Sequence, residues 1–257
     1  MADQNQANQI DIRVYSSSQE LVSSLAEHLN KLSNDCVSKG TRAHIALSGG
    51  STPKNLFKYL ANSDYANSIH WPRLHFWWGD ERCVPPDHTD SNYREANELL
   101  LKRIDIPTQN IHRIRGEAKA EIEAERFATE MKQHIPLSDG CPKFDWVMLG
   151  MGEDGHTASL FPNQTNYQSG ALSVIAEHPN SGQQRISLSA SLISNAKKIS
   201  YLVLGESKQT MVQKCLADAG QQDLPAAKIR SKQGVTEWLL DQGAANLLSA
   251  EQYINEH

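Results

Sequence analysis

Residues 43–53 read AHIALSGGSTP. An apolar run from Ala43 to Leu47 stops at two glycines and passes into Ser-Thr-Pro. The run is short enough for a strand buried on both faces. Thr52 is placed to cap a following helix, with Pro53 at its first position and Leu56 and Leu60 along its apolar side. The same grammar recurs further on. Leu74–Trp78 ends in Gly79-Asp80-Glu81-Arg82, which reads as a loop. Phe144–Leu149 ends in Gly150-Met151-Gly152, and Ile199–Leu204 ends in Gly205-Glu206, with a helix from about Ser207 to Ala217 behind it. Strands that alternate with helices imply a mostly parallel sheet covered on both faces. In open sheets of this kind ligands bind beyond the carboxyl ends of the strands. If these four strands are parallel neighbours, their four glycine-containing turns converge on one crevice.

The flanking segments agree with this class. Ile10–Tyr15 alternates like a strand, and Ser17-Ser-Gln-Glu20 resembles a capping box ahead of Leu21, Leu25, Leu29 and Leu32 at helical spacing. Ser91–Arg103 and Ala118–His134 read as helices, Ile111–Ile114 and Arg185–Leu188 as strands. Trp238, Leu239 and Leu240 fall in the tail, ahead of an alanine-rich segment.

The bulk numbers exclude several function classes. The 257 residues are enough for a sizeable core, and a net charge of -5 does not favour nucleic acid or an anionic membrane as a partner. The N-terminus MADQNQANQ lacks the pattern of a signal peptide, and no apolar run approaches the length of a membrane span. Cys36, Cys83, Cys141 and Cys215 form neither a C-x-x-C pair nor a zinc spacing. The expectation is reduced thiols in a cytoplasmic protein, with Cys83 a small buried filler.

The turns carry chemistry. Ser48, Gly49, Gly50 and Thr52 open a helix whose N–H groups and partial positive charge suit an oxyanion such as phosphate. The spacing is neither that of a P-loop nor that of a dinucleotide fingerprint, so no nucleotide is indicated. Arg82 can clamp a phosphate or polarise a carbonyl, and Asp80 or Glu81 can orient it or a histidine. Lys208 and Arg185 add cations at strand ends. In Val147–Pro162, VMLGMGEDGHTASLFP, His156 follows three glycines, and Glu153 or Asp154 is placed to set its tautomer. Gly152 and Gly155 let the backbone pass close to a ligand. Thr157-Ala158-Ser159 reads as the start of a short helix, which would disfavour protonated His156.

SGGSTP, WWGDERCVPPDHTDSNYREANELLL, FDWVMLGMGEDGHTASLFP and LVLGESKQTM, in this order, resemble the 6-phosphogluconolactonases of the single-domain bacterial type. The resemblance runs from Ile10 to the LPAAKIR and TEWLLD segments. SGGSTP by itself is shared with glucosamine-6-phosphate deaminases and ribose-5-phosphate isomerases. The resemblance implies a Rossmann-like three-layer α/β/α sandwich with a small accessory subdomain, formed as one domain over residues 10–257 behind a flexible tail of residues 1–9. It implies hydrolysis of 6-phospho-D-glucono-1,5-lactone, a small phosphosugar partner, and no metal or organic cofactor. A monomer is favoured over an oligomer. His156 is then the base, Asp80 the better choice to orient it or touch the sugar, and Arg82 divides between phosphate and carbonyl. Ser48, Thr52, Arg82, Arg185 and Lys208 are phosphate candidates. A deaminase of glucosamine 6-phosphate and a non-catalytic sugar-phosphate sensor are the alternatives. The Thr-Ala-Ser-Leu-Phe-Pro continuation after His156 departs from the deaminase pattern.

Overall fold

The computed structural model describes residues 10–217 and 222–256. The expected tail, residues 1–9, lies outside them. The main sheet has eight strands: β1 (Ile10–Tyr15), β2 (Ala43–Leu47), β3 (Leu74–Trp78), β5 (Ile111–His112), β8 (Trp146–Leu149), β11 (Lys198–Val203), β12 (Val235–Asp241) and β13 (Ile254–Glu256). Their order is β13-β1-β12-β11-β8-β2-β3-β5, and every neighbouring pair is parallel. Successive side chains of a strand point to opposite faces. All residues of β2, β3 and β8 are buried, so both faces of the sheet centre are covered and the molecule has three layers. Order reverses between β2 and β8. The chain runs from β2 outward to β3 on one side, and from β8 outward to β11 and β12 on the other. That is the switch point at which such sheets form a crevice.

Local chemistry sets the helix ends. Ser17 caps the helix Ser18–Lys39, its hydroxyl accepting from Glu20 N at 3.2 Å, and Gly40 ends it in the left-handed region at φ 64. Ser91 does the same for Asn92–Leu99, accepting from Arg94 N at 3.1 Å. The helix after β2 spans Ser51–Ala61 and its cap position is Gly50, so Thr52 is not the cap expected from sequence.

A second, antiparallel sheet orders β4 (Asp80–Arg82), β10 (Gln184–Leu188) and β9 (Ser173–Glu177). The chain changes sheets at Gly79, whose N–H donates to Leu47 O at 2.8 Å while its carbonyl accepts from Leu188 N at 2.8 Å. Asp80-Glu81-Arg82 is therefore a short strand, not a loop. The strand at Arg185–Leu188 belongs to this small sheet and not to the parallel one. A two-stranded hairpin of β6 (Leu137–Ser138) and β7 (Cys141–Pro142) completes the β structure. The four cysteines are free, and Cys83 is half-buried rather than buried. Among the described residues no helix is long and apolar enough to cross a membrane.

Candidate active site

The four glycine-bearing turns follow β2, β3, β8 and β11, which lie side by side in the sheet. They enclose a cavity of about 350 Å³, the size of a small-metabolite pocket. Ten of the residues expected from sequence line it: Ser48, Gly49, Gly50, Thr52, Asp80, Arg82, Gly152, His156, Arg185 and Lys208. Asp154 and Gly155 do not.

At the end of β2, Gly50 adopts φ 107, a conformation that a side chain would strain. No side chain caps the helix that follows, and Ser51 and Thr52 line the cavity. Their backbone N–H groups belong to the orphaned first turn, which suits an anion. Ser48 Oγ is buried without a partner among the described residues.

The turn after β8 is tied to itself. Thr157 Oγ1 donates to Gly150 O at 2.8 Å, Gly152 N to His156 O at 2.9 Å, and Gly155 N to Gly152 O at 3.1 Å. A Cβ on Gly152 would lie 2.2 Å from His156 Nδ1, so the imidazole occupies the space that a side chain at residue 152 would need. His156 Nδ1 lies 2.6 Å from Asp154 Oδ1, and His156 N donates to the same oxygen at 3.1 Å. Burial pushes the Asp154 carboxyl up, but the bonds and charge it receives from His156 outweigh this and hold it below its ordinary value. An ionised carboxylate only accepts, so Nδ1 carries the proton and Nε2 is left with the lone pair. The carboxylate that orients His156 is thus Asp154 and not Asp80. His156 is not at a helix start either: the chain doubles back through a Thr157–Leu160 bridge, with Ala158 at φ 49.

Asp80 is 6% exposed, and its Oδ2 accepts from Ser159 Oγ at 2.6 Å. Its Oδ1 accepts from Asn92 Nδ2 at 3.3 Å. Glu81 serves the fold. Its carboxylate accepts from Ser91 Oγ, Asn92 N and Tyr93 N at 2.8–3.0 Å and so caps the helix Asn92–Leu99. Burial pushes its carboxyl up.

Arg82 and Arg185 face each other across β4 and β10. Neither forms an ion pair among the described residues, and the Nε of each is buried without a partner. Burial lowers the Arg185 guanidinium from its ordinary value; Asp80 opposes this and the charge of Arg82 adds to it. Two cations held side by side in a partly desolvated wall form a ready receptor for a dianion.

Sequence reasoning missed Asn92, which lines the cavity and packs so tightly on the β2 turn that a Cβ on Gly49 would lie 2.0 Å from its Oδ1. Only the Ser91 cap in front of it hinted at a buried helix start. Among the described residues no group of three His, Cys, Asp or Glu is arranged to hold a metal ion.

A family profile described as "Glucosamine-6-phosphate isomerases/6-phosphogluconolactonase" matches residues 16–238. A curated 6-phosphogluconolactonase of Haemophilus influenzae is 56% identical over 80% of this chain and 87% of its own length. The solved structure of 6-phosphogluconolactonase from Trypanosoma brucei superposes with a TM-score of 0.84 at 30% identity, covering 94% of this chain and 99% of its own. The crystal structure of the devB protein gives a TM-score of 0.91 at 52% identity, over 94% of this chain and all of that one. A monomeric glucosamine-6-phosphate deaminase, at 22% identity and a TM-score of 0.77, shares the fold. The chain belongs to the glucosamine-6-phosphate isomerase/6-phosphogluconolactonase family.

Proposed function

We propose that this protein hydrolyses 6-phospho-D-glucono-1,5-lactone to 6-phospho-D-gluconate, in the oxidative pentose phosphate pathway of the cytoplasm. Residues 10–257 act as one domain. The observation that carries the reading is a histidine with an oriented free nitrogen and a paired set of arginines on the walls of one cavity. A neutral phosphosugar ring with one dianionic end needs those two things.

The phosphate sits against Arg82 and Arg185, with Lys208, Ser48 and the first-turn N–H groups of the helix Ser51–Ala61 as further donors. His156 Nε2 takes a proton from water as the water oxygen bonds to the lactone carbonyl carbon. The carbonyl electron pair moves onto its oxygen, where backbone N–H groups of the glycine turns stabilise it. Collapse of this intermediate breaks the bond to the ring oxygen. The protonated His156 returns its proton to that leaving alkoxide. Asp154 holds the ring in the working tautomer and offsets the imidazolium charge, while Asp80 stays on the cavity wall for a sugar hydroxyl. A well-placed base is worth roughly 10² to 10⁴ in rate.

The test follows 6-phosphogluconate formation above the spontaneous rate for the wild type and His156→Asn, with 6-phosphogluconate binding measured in both. The expected result is acceleration by the wild type only and binding by both. Absence of acceleration, or ammonia released from glucosamine 6-phosphate, overturns the reading.

A further inference from the structure

The opposite end of the sheet holds a second cavity, of about 1040 Å³. It is lined by five cationic side chains, Lys39, Arg42, Arg73, Lys143 and Lys197, and by two carboxylates, Asp35 and Asp145. This is a local reversal of sign in a chain whose net charge is -5.

The placement of the cations is regular. Arg42 directly precedes β2, Arg73 directly precedes β3, and Lys197 directly precedes β11; Lys143 stands three residues ahead of β8. Each of the four strands whose far end builds the active site thus enters the sheet behind a cation. Helix dipoles explain part of the charge and not the rest. Lys39 lies in the last turn of its helix, where a cation is favoured. Arg73 likewise ends a short 3-10 turn, Trp71–Arg73, whereas Arg42 and Lys143 lie in no helix and have no such reason to be there. The carboxylates do not neutralise them. Asp145 is committed to His44 N at 2.8 Å and to Lys197 Nζ at 2.7 Å. Neither Arg42 nor Arg73 makes a side-chain hydrogen bond or ion pair among the described residues.

The cavity wall also offers a histidine donor. His44 is 3% exposed and lines the cavity. The Trp77 indole N–H, which can only donate, gives its hydrogen to His44 Nδ1 at 3.2 Å. The His44 proton is therefore on Nε2, which has no acceptor among the described residues.

We propose that this cavity is a second anion site, for a small phosphate-bearing polyanion such as an organic or inorganic polyphosphate. The spacing sets the class. The order β11-β8-β2-β3 places the four cations across three strand intervals, or about 14 Å. A single phosphate meets one or two of them, whereas a chain of phosphates can meet Arg42, Arg73 and Lys143, which no carboxylate holds among the described residues. The site is distinct from the active-site cavity, because the two share no lining residue and lie at opposite ends of the same strands.

The test is calorimetric titration of the intact protein with inorganic tripolyphosphate at fixed ionic strength, with and without saturating 6-phosphogluconate. The expected result is binding that 6-phosphogluconate does not displace. It should weaken at least about tenfold in Arg42→Ala/Arg73→Ala, because each charge-assisted bond removed is worth about that factor. Lactone turnover should stay unchanged in the double variant, which shows that the fold is intact, and Arg42→Lys/Arg73→Lys should retain most of the affinity. No binding at millimolar tripolyphosphate overturns the proposal. So does binding that is indifferent to the double variant, or that is lost with Arg82→Ala and displaced by 6-phosphogluconate.

Discussion

Arg82 of β4 and Arg185 of β10 are directly opposed residues of an antiparallel pair. Like charges so placed repel and destabilise a sheet. The repulsion is useful only when an anion bridges them. Arg185→Gln is therefore expected to raise the melting temperature of the ligand-free protein slightly while weakening the binding of 6-phosphogluconate about tenfold or more. Thermal unfolding with and without ligand reads both effects. A drop in ligand-free stability together with unchanged affinity would show that the pair is not a phosphate clamp.

Asp154 does not line the cavity and reaches it through His156, whose Nδ1 lies 2.6 Å away. In Asp154→Asn the amide can donate to Nδ1, which favours the tautomer with the proton on Nε2. The base is then blocked while the cavity wall stays intact. The turnover number should fall by about 10² to 10⁴ with little change in KM. A large rise in KM with an unchanged turnover number would mean that Asp154 binds substrate.

Gly152→Ala is a sharper probe of the same loop, since the new Cβ would sit 2.2 Å from His156 Nδ1. The ring must move, and small displacements of a catalytic group cost about 10²-fold. Steady-state kinetics and the melting temperature should separate: activity lost, fold kept. Normal turnover in this variant would mean that the imidazole has room to shift and remain productive.

The convergence of four turns was legible in the sequence because each strand is a short, mostly apolar run followed within two residues by glycine, and the parallel sheet makes such runs neighbours. The partner of His156 was not. Two carboxylates near it in the chain, and Asp80 and Glu81 from afar, are chemically equivalent on paper. The choice is made by the fold-back of the loop, which brings Asp154 onto Nδ1, and by the cap role that consumes Glu81. Arg82 and Arg185 were each readable as single cations. Their opposition depends on β4 and β10 pairing across a long sequence separation, and Asp-Glu-Arg carries no strand signal of its own. The β12 strand was missed for the same reason: Val235–Asp241 mixes buried Thr236 and Glu237 with apolar residues, and only the contacts of its neighbours define it.

Two buried histidines, His44 and His75, and the half-buried His28 are expected to shape the acid limb of stability. Burial pushes His44 down to about 3, with His75, His112, His134 and Arg42 adding to the effect. It pushes His75 down to about 4, helped by His112 and Arg42, and His28 down to about 4, with Lys198 reinforcing and Glu237 opposing. Above pH 6.5 these rings are neutral in both the folded and the unfolded chain, so they contribute no pH dependence. As pH falls below 6.5 the unfolded chain takes up protons that the folded chain refuses, and folding stability is lost until pH reaches the folded values of about 3 to 4. His44→Asn keeps an acceptor for the Trp77 N–H but cannot titrate in this range, so its stability should fall less steeply between pH 6.5 and 4 than that of the wild type. Urea unfolding at half-unit pH steps gives the two slopes. If they coincide, the buried histidines are not what the acid acts on, and carboxylate protonation at the ion pairs must be carrying the loss.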